Sequence, residues 1–279
     1  MKIAIIGTGL IGGSIALILK EKKLASHIIG VENNKAHAQT ALDLHVVDEI
    51  KTLNEAIKNS EIIFLTIPVE AASGMISSVL DRIDGQVLID VGSTKMNICE
   101  EVKNHKNRGR FVASHPMWGT EFSGPEAATN SAFAGNAVVI CDKENSDSDA
   151  LDKAEKIYKA LGMHIIYMDA QAHDIHAAYV SHISHITSFA LANTVLEKEK
   201  EESAIFDMAS GGFESTVRLA KSNPEMWVPI FKQNRENVLD VLNEHISQLK
   251  KFKSCLEKEN YSYLKDLIDQ SNKIKRILK

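Results

Sequence analysis

Lys2-Ile3-Ala4-Ile5-Ile6-Gly7-Thr8-Gly9-Leu10-Ile11-Gly12 decides the fold. A short apolar, β-branched run reads as a buried strand, and the glycine-rich turn after it opens a segment of helical spacing over Ile11–Glu21. GxGxxG is a weak signal alone, but between a strand and a helix it is the fingerprint of dinucleotide binding. Gly7 permits the tight turn, Gly9 lets the backbone approach a pyrophosphate, and Gly12 lets helix and strand pack closely. The helix start at Leu10 and Ile11 supplies free N–H groups and the positive end of the dipole. Glu32 stands about 20 residues beyond Gly12, where a carboxylate accepts hydrogen bonds from ribose hydroxyls and repels a 2′-phosphate. No Lys or Arg follows until Lys35. The expected cofactor is NAD rather than NADP.

Outward from this turn, His27–Val31, Glu61–Ile67, Gln86–Val91 and Phe111–Ser114 read as further buried strands, apolar throughout rather than alternating. Helical segments lie between them at Lys35–Leu42, Val69–Ile83 and Lys95–Lys106. Ala137–Cys141 and His164–Met168 read as two more strands around a helix at Asp149–Leu161. Repeated strand–helix units predict a parallel sheet covered on both faces. After Met168 the apolar residues recur at helical spacing only. Ser222-Asn223-Pro224-Glu225 starts a helix, with Asn as cap, Pro at the first position and Glu against the dipole. Val228, Phe231, Val238, Val241, Leu242, Ile246, Leu249 and Phe252 then mark one face of a long helix. The expectation is an α/β Rossmann-type nucleotide-binding domain over residues 1–168, followed by an all-helical domain over 169–279.

The 279 residues are 44% hydrophobic and 25% charged, with a formal net charge of −5, which is the mix of a globular protein without a basic face for nucleic acid. Cys99, Cys141 and Cys255 form no CxxC pair, so neither a disulfide framework nor a zinc site is expected. MKIAIIG runs straight into the glycine turn without a secretory signal. The apolar stretch Tyr179–Leu196 is broken by Ser181, His182, Ser184, His185, Ser188 and Asn193, groups that are costly in lipid. A cytoplasmic protein without a membrane segment is expected.

Ligands of an open parallel sheet bind beyond the carboxyl ends of its strands. Two motifs fall there: Asp90-Val91-Gly92-Ser93-Thr94-Lys95 and Ser114-His115-Pro116-Met117-Trp118-Gly119. An imidazole at His115 suits removal of a proton from an alcohol as hydride leaves its carbon. Ser93 is placed to bond the same alcohol or to cap the following helix. His173-Asp174, His176 and Ser181-His182-Ile183-Ser184-His185 make a polar stripe on an otherwise buried helix, better read as cleft lining than as a metal site. Arg218 offers a guanidinium that grips a carboxylate through two parallel bonds, or a surface ion pair.

GTGLIGGS, DVGSTK, SHPMWGTE, the HD before SHISH, and SGGFESTVRLAKSNPEMW occur in the order seen in prephenate and arogenate dehydrogenases, and the chain resembles that family from Lys2 to about Val238. The resemblance implies NAD-dependent oxidative decarboxylation of prephenate in tyrosine biosynthesis, with arogenate as the alternative substrate, and a homodimer formed through the helical domains. It implies that His115 is the catalytic histidine, Ser93 the assisting serine, His185 and the neighbouring Ser181 lining of the substrate pocket, and Arg218 the group that binds a substrate carboxylate. Two departures stand out. Ser184 replaces the usual proline of SHLPH, and Phe213-Glu214-Ser215-Thr216-Val217-Arg218 stands where many members read FRDxTR. Two rivals share the glycine turn. A β-hydroxyacid dehydrogenase normally uses a lysine of its helical domain, and nothing marks one here. A silent NAD sensor needs only the turn and Glu32, not Ser93, His115, His185 and Arg218 together.

Overall fold

Alternating side chains of the first strand feed two hydrophobic cores, one on each face of a sheet. In β1 (Lys2–Ile6), Ile3 and Ile5 enter one core while Ala4 and Ile6 enter the other. β4 (Ile62–Leu65) divides likewise, Ile62 and Phe64 against Ile63 and Leu65. Each fully buried isoleucine, leucine or phenylalanine among them contributes roughly 1.5–3 kcal/mol. This computed structural model describes residues 1–200 and 205–277.

The sheet has eight strands in the order β3-β2-β1-β4-β5-β6-β7-β8. The others are β2 (His27–Val31), β3 (Glu49–Ile50), β5 (Val87–Asp90), β6 (Phe111–Pro116), β7 (Ala137–Cys141) and β8 (His164–Met168). The strand order reverses between β1 and β4, the switch point at which such sheets open a crevice at their carboxyl ends. Helix α1 (Leu10–Glu21) starts there, directly after the glycine turn. The remaining helices of this part are α2 (Lys35–Asp43), α3 (Leu53–Lys58), α4 (Val69–Ser73), α5 (Ile76–Asp81), α6 (Met96–Val102) and α7 (Ser148–Ala160).

Several boundaries differ from the sequence reading. β7 runs antiparallel to β6, so the sheet is mixed rather than parallel. The expected helix over Val69–Ile83 is two, because the chain breaks at Gly74 and Met75, the latter at φ −128°. The helix expected over Lys95–Lys106 spans only Met96–Val102. β6 continues through His115 to Pro116. β3 and α3 were not foreseen, although Thr52 and Glu55 form a capping box that announces α3.

Beyond β8 come α8 (Ala170–Ala177), a wide π turn at Ala178–His182, α9 (Ile183–Glu199), α10 (Gly211–Val217) and α11 (Pro224–Gln233). These belong with the sheet to one compact unit, Met1–Asn234; Arg235–Lys279 is a second. The second unit contains α12 (Arg235–Glu257) and α13 (Tyr261–Ser271), the latter capped by Asn260. The single long helix expected after Pro224 is therefore interrupted at Asn234. Asn234 leaves the helical conformation at φ −105°, ψ 26°, and its amide donates to the Asp174 carbonyl at 2.7 Å. Val228, Ile246 and Leu249 of the expected apolar face are exposed. Among the described residues no helix is long and apolar enough to cross a membrane.

Candidate active site

At the glycine turn each residue has its own steric reason. Gly7 adopts φ +97°, in the region that favours glycine. A β-carbon on Gly12 would collide with the Gly7 carbonyl oxygen and the Thr66 hydroxyl, whereas one on Gly9 would meet nothing within 4 Å. Gly9 begins α1 with no side-chain cap, so the N–H groups of Leu10 and Ile11 lie at a helix start beside open space. Such a start suits an anion, and the open face of Gly9 leaves room for a pyrophosphate. At the end of β2, Glu32 accepts hydrogen bonds from the Thr8 N–H at 3.1 Å and the Asn34 N–H at 3.0 Å. Its carboxylate is thereby held beside the turn.

One strand pair away, a buried network fixes the ends of β5 and β6. Lys95 is fully buried; its ammonium pairs with Asp90 and donates to the Ser114 carbonyl at 2.7 Å. The Ser114 hydroxyl donates in turn to the Asp90 carbonyl at 2.6 Å. A buried charge is tolerable only when paired and bonded in this way. The network clamps Ser114, the residue immediately before His115, to the end of β5.

His115 lies in a recess. Burial, with His173, Lys95 and His182 nearby, holds its pKa well below the ordinary value, yet the residue keeps part of its surface accessible. The imidazole is thus neutral near pH 7, as a proton acceptor must be. Its Nδ1 lies 2.8 Å from Nε2 of His173, whose Nδ1 lies 2.8 Å from Asp174 Oδ1. Asp174 also caps α6 from outside that helix, accepting the Lys95 N–H at 2.8 Å and the Met96 N–H at 3.0 Å. Ser93 does not cap α6, because the cap position is Lys95 and the carboxylate comes from α8. Ser93 instead occupies the loop after β5, whose Asp90 is in register with Ala113 of β6, two residues before His115.

A second group forms around Trp227 of α11. The His185 ring stacks on it at 3.5 Å between centroids, and His182 meets it edge-on at 5.9 Å. Burial lowers the pKa of His185, as does the Arg218 cation, against a bond from its Nδ1 to the Ser181 carbonyl at 3.1 Å. Burial is also the main cause that brings His182 down to about 4. Arg218 donates to Glu121 at 2.6 Å, in the loop that follows His115. The structure thus gathers Ser181 and Arg218 around His185, stacks His185 on Trp227, and links Trp227 to His115 through His182, Asn234 and the His173–Asp174 pair. Sequence reasoning gave no part to Glu121, Trp227 or Asn234. Trp227 closes the NPEMW stretch and Glu121 closes SHPMWGTE, so each had a motif as its signal, whereas Asn234 has none.

A switch-point crevice with a glycine turn, an acidic residue at the end of β2 and a recessed neutral histidine defines a nucleotide-dependent oxidoreductase of the Rossmann class. The chain belongs to the prephenate dehydrogenase family. Residues 15–167 match the model of its nucleotide-binding domain, and residues 169–270 that of its dimerization domain. It is 30% identical over 262 residues to the prephenate dehydrogenase of Bacillus subtilis, covering 92% of this chain and 71% of that one. Identity to the cyclohexadienyl dehydrogenase of Zymomonas mobilis is 27%, over 99% of this chain and 96% of the relative. Among solved structures, prephenate dehydrogenase from Aquifex aeolicus, in complex with hydroxyphenyl propionate and NAD+, superposes with a TM-score of 0.87 at 27% identity, covering 99% of this chain and 97% of that one.

Proposed function

We propose that this protein is an NAD-dependent prephenate dehydrogenase that converts prephenate to 4-hydroxyphenylpyruvate with His115 as the general base. The observation that carries the reading is the recessed, neutral imidazole of His115 at the carboxyl end of β6, in the same sheet as the switch-point glycine turn. Gly7, Gly9, Leu10, Ile11 and Gly12 would hold the pyrophosphate, and Glu32 the adenosine ribose. Bound NAD supplies the hydride acceptor, C4 of the nicotinamide.

The chain's own part is acid–base chemistry and positioning. His115 takes the proton of the ring alcohol as hydride leaves that carbon. The resulting dienone is a vinylogous β-keto acid, so its carboxylate departs as carbon dioxide. The electron pair runs through the ring, which becomes aromatic, to the oxygen, and the proton returns there from His115. Ser93 would bond the same oxygen, Arg218 a substrate carboxylate, and Ser181 and His185 line the pocket. The domain division follows this chemistry: residues 1–168 bind the nucleotide, and residues 169–279 bind substrate and form the homodimer. We place the enzyme in the cytoplasm, in tyrosine biosynthesis, with a small-molecule substrate rather than nucleic acid or membrane as its partner.

The likeness to a cyclohexadienyl dehydrogenase favours arogenate as a second substrate, since the two differ only at the side-chain end. Nicotinamide reduction measured with prephenate and with arogenate, each with NAD and with NADP, separates these cases. Replacing His115 with Asn should lower turnover roughly 10²–10⁴-fold while nucleotide binding is retained. Wild-type rates in that variant would remove the mechanism.

A further inference from the structure

The chain His115–His173–Asp174 has a direction set by its far end. Asp174 spends its two carboxylate oxygens on the backbone N–H groups of Lys95 and Met96, so it meets His173 as an acceptor. His173 therefore carries its proton on Nδ1 and donates it to Asp174. The Nε2 of a neutral His173 is then bare and can only accept. Facing it at 2.8 Å is Nδ1 of His115, which must be the protonated nitrogen of that ring. What remains to His115 is a lone pair on Nε2, the atom that does not face His173.

We propose that His173 and Asp174 are positioning residues for the reaction: together they lock His115 into the tautomer whose Nε2 is free to accept the substrate proton. The inference rests on the reading of His115 as base and extends it to the two residues behind that ring. Both are buried, at 2% and 3% exposure, so water does not compete for these bonds. The lock is rigid at its base, because the Asp174 carboxylate is tied to the first turn of α6 and its backbone carbonyl accepts from Asn234 at 2.7 Å. The same geometry holds the proton in transit. When Nε2 of His115 takes the alcohol proton, the new cation lies in line with the Asp174 carboxylate through one intervening imidazole. When the ring oxygen of the product needs that proton back, it leaves from the same Nε2, and neither His173 nor Asp174 changes its bonds.

The experiment uses the full-length protein with ¹⁵N-labelled histidine. Imidazole ¹⁵N shifts at neutral pH, with the His115 signal assigned by difference against His115→Asn, report the tautomer directly. The expected result is His115 protonated on Nδ1 in the wild type. Replacing His173 with Leu should lower kcat at least roughly tenfold, the lower end of what losing a supporting bond behind a functional histidine costs. KM for prephenate and for NAD should stay unchanged. His173→Gln, which can present an acceptor oxygen near the former Nε2, should recover most of the rate and the Nδ1–H tautomer. A wild-type His115 protonated on Nε2 overturns the proposal even if the Leu variant fails to fold. So does a Leu variant with wild-type kcat, or a Gln variant no better than Leu. Loss of activity in His115→Asn alongside an unaffected His173→Leu rejects the lock and leaves the base standing; an active His115→Asn rejects the base itself.

Discussion

Arg218 is already paired in this chain, with Glu121 as its partner and about half of its side chain exposed. A guanidinium in that state can exchange one carboxylate for another at small cost, which suits a group that binds an acidic substrate. Arg218→Ala should raise KM for prephenate roughly ten- to a hundredfold, the equivalent of one charged hydrogen bond, and leave KM for NAD nearly unchanged. Equal, small changes in both constants would make Arg218 a structural ion pair. The histidines give a pH signature. His182 has an ordinary value of 6.5 and falls to about 4 in the folded chain, chiefly through burial, with Asp174 opposing and His173 and His185 adding to the fall. The unfolded chain therefore binds the proton first as pH drops. Stability is unaffected above pH 6.5 and declines between 6.5 and about 4, by about 3 kcal/mol at most from this residue. The lowered values of His115 and His185 act in the same direction. Thermal unfolding across that window should show the slope, and His182→Gln should flatten it.

Among the elements, the strand–turn–helix from Lys2 to Glu21 was the most legible, because its apolar run and its glycines each have a local cause. The steric difference between two of those glycines gives a paired prediction. Gly9→Ala adds a methyl group to open space, so it should keep the melting temperature and weaken nucleotide binding. Gly12→Ala drives a methyl group into backbone and should lower the melting temperature as well. Calorimetry with and without nucleotide distinguishes them, and identical behaviour of the two would contradict the role given to Gly9. What could not be read was set at a distance. The antiparallel direction of β7 has no local marker, since Ala137–Cys141 is equally apolar in either sense. The break at Asn234 depends on partners at Asp174 and His182, 60 and 52 residues away. The motif marks His115 as a candidate, but nothing in it announces the bonds behind that ring. His173 and Asp174 looked like part of a polar stripe until the packing of α8 against α6 brought them to that ring.

For the whole molecule, the proposed homodimer has a simple readout. Light scattering on the purified protein should give twice the chain mass at micromolar concentration, and a single-chain mass would count against the dimer. The exposed apolar residues of the second unit, Ile246, Leu249, Leu256 and Ile268 among them, are of the kind that association covers. The double cap that Asp174 places on α6 bears on how such a chain can vary. One pair of oxygen atoms both finishes a helix and steers an imidazole, so adaptation to heat and adaptation for speed press on the same site. A lineage drifting toward a looser, cold-tolerant scaffold would be expected to change its surface loops long before it touches that aspartate.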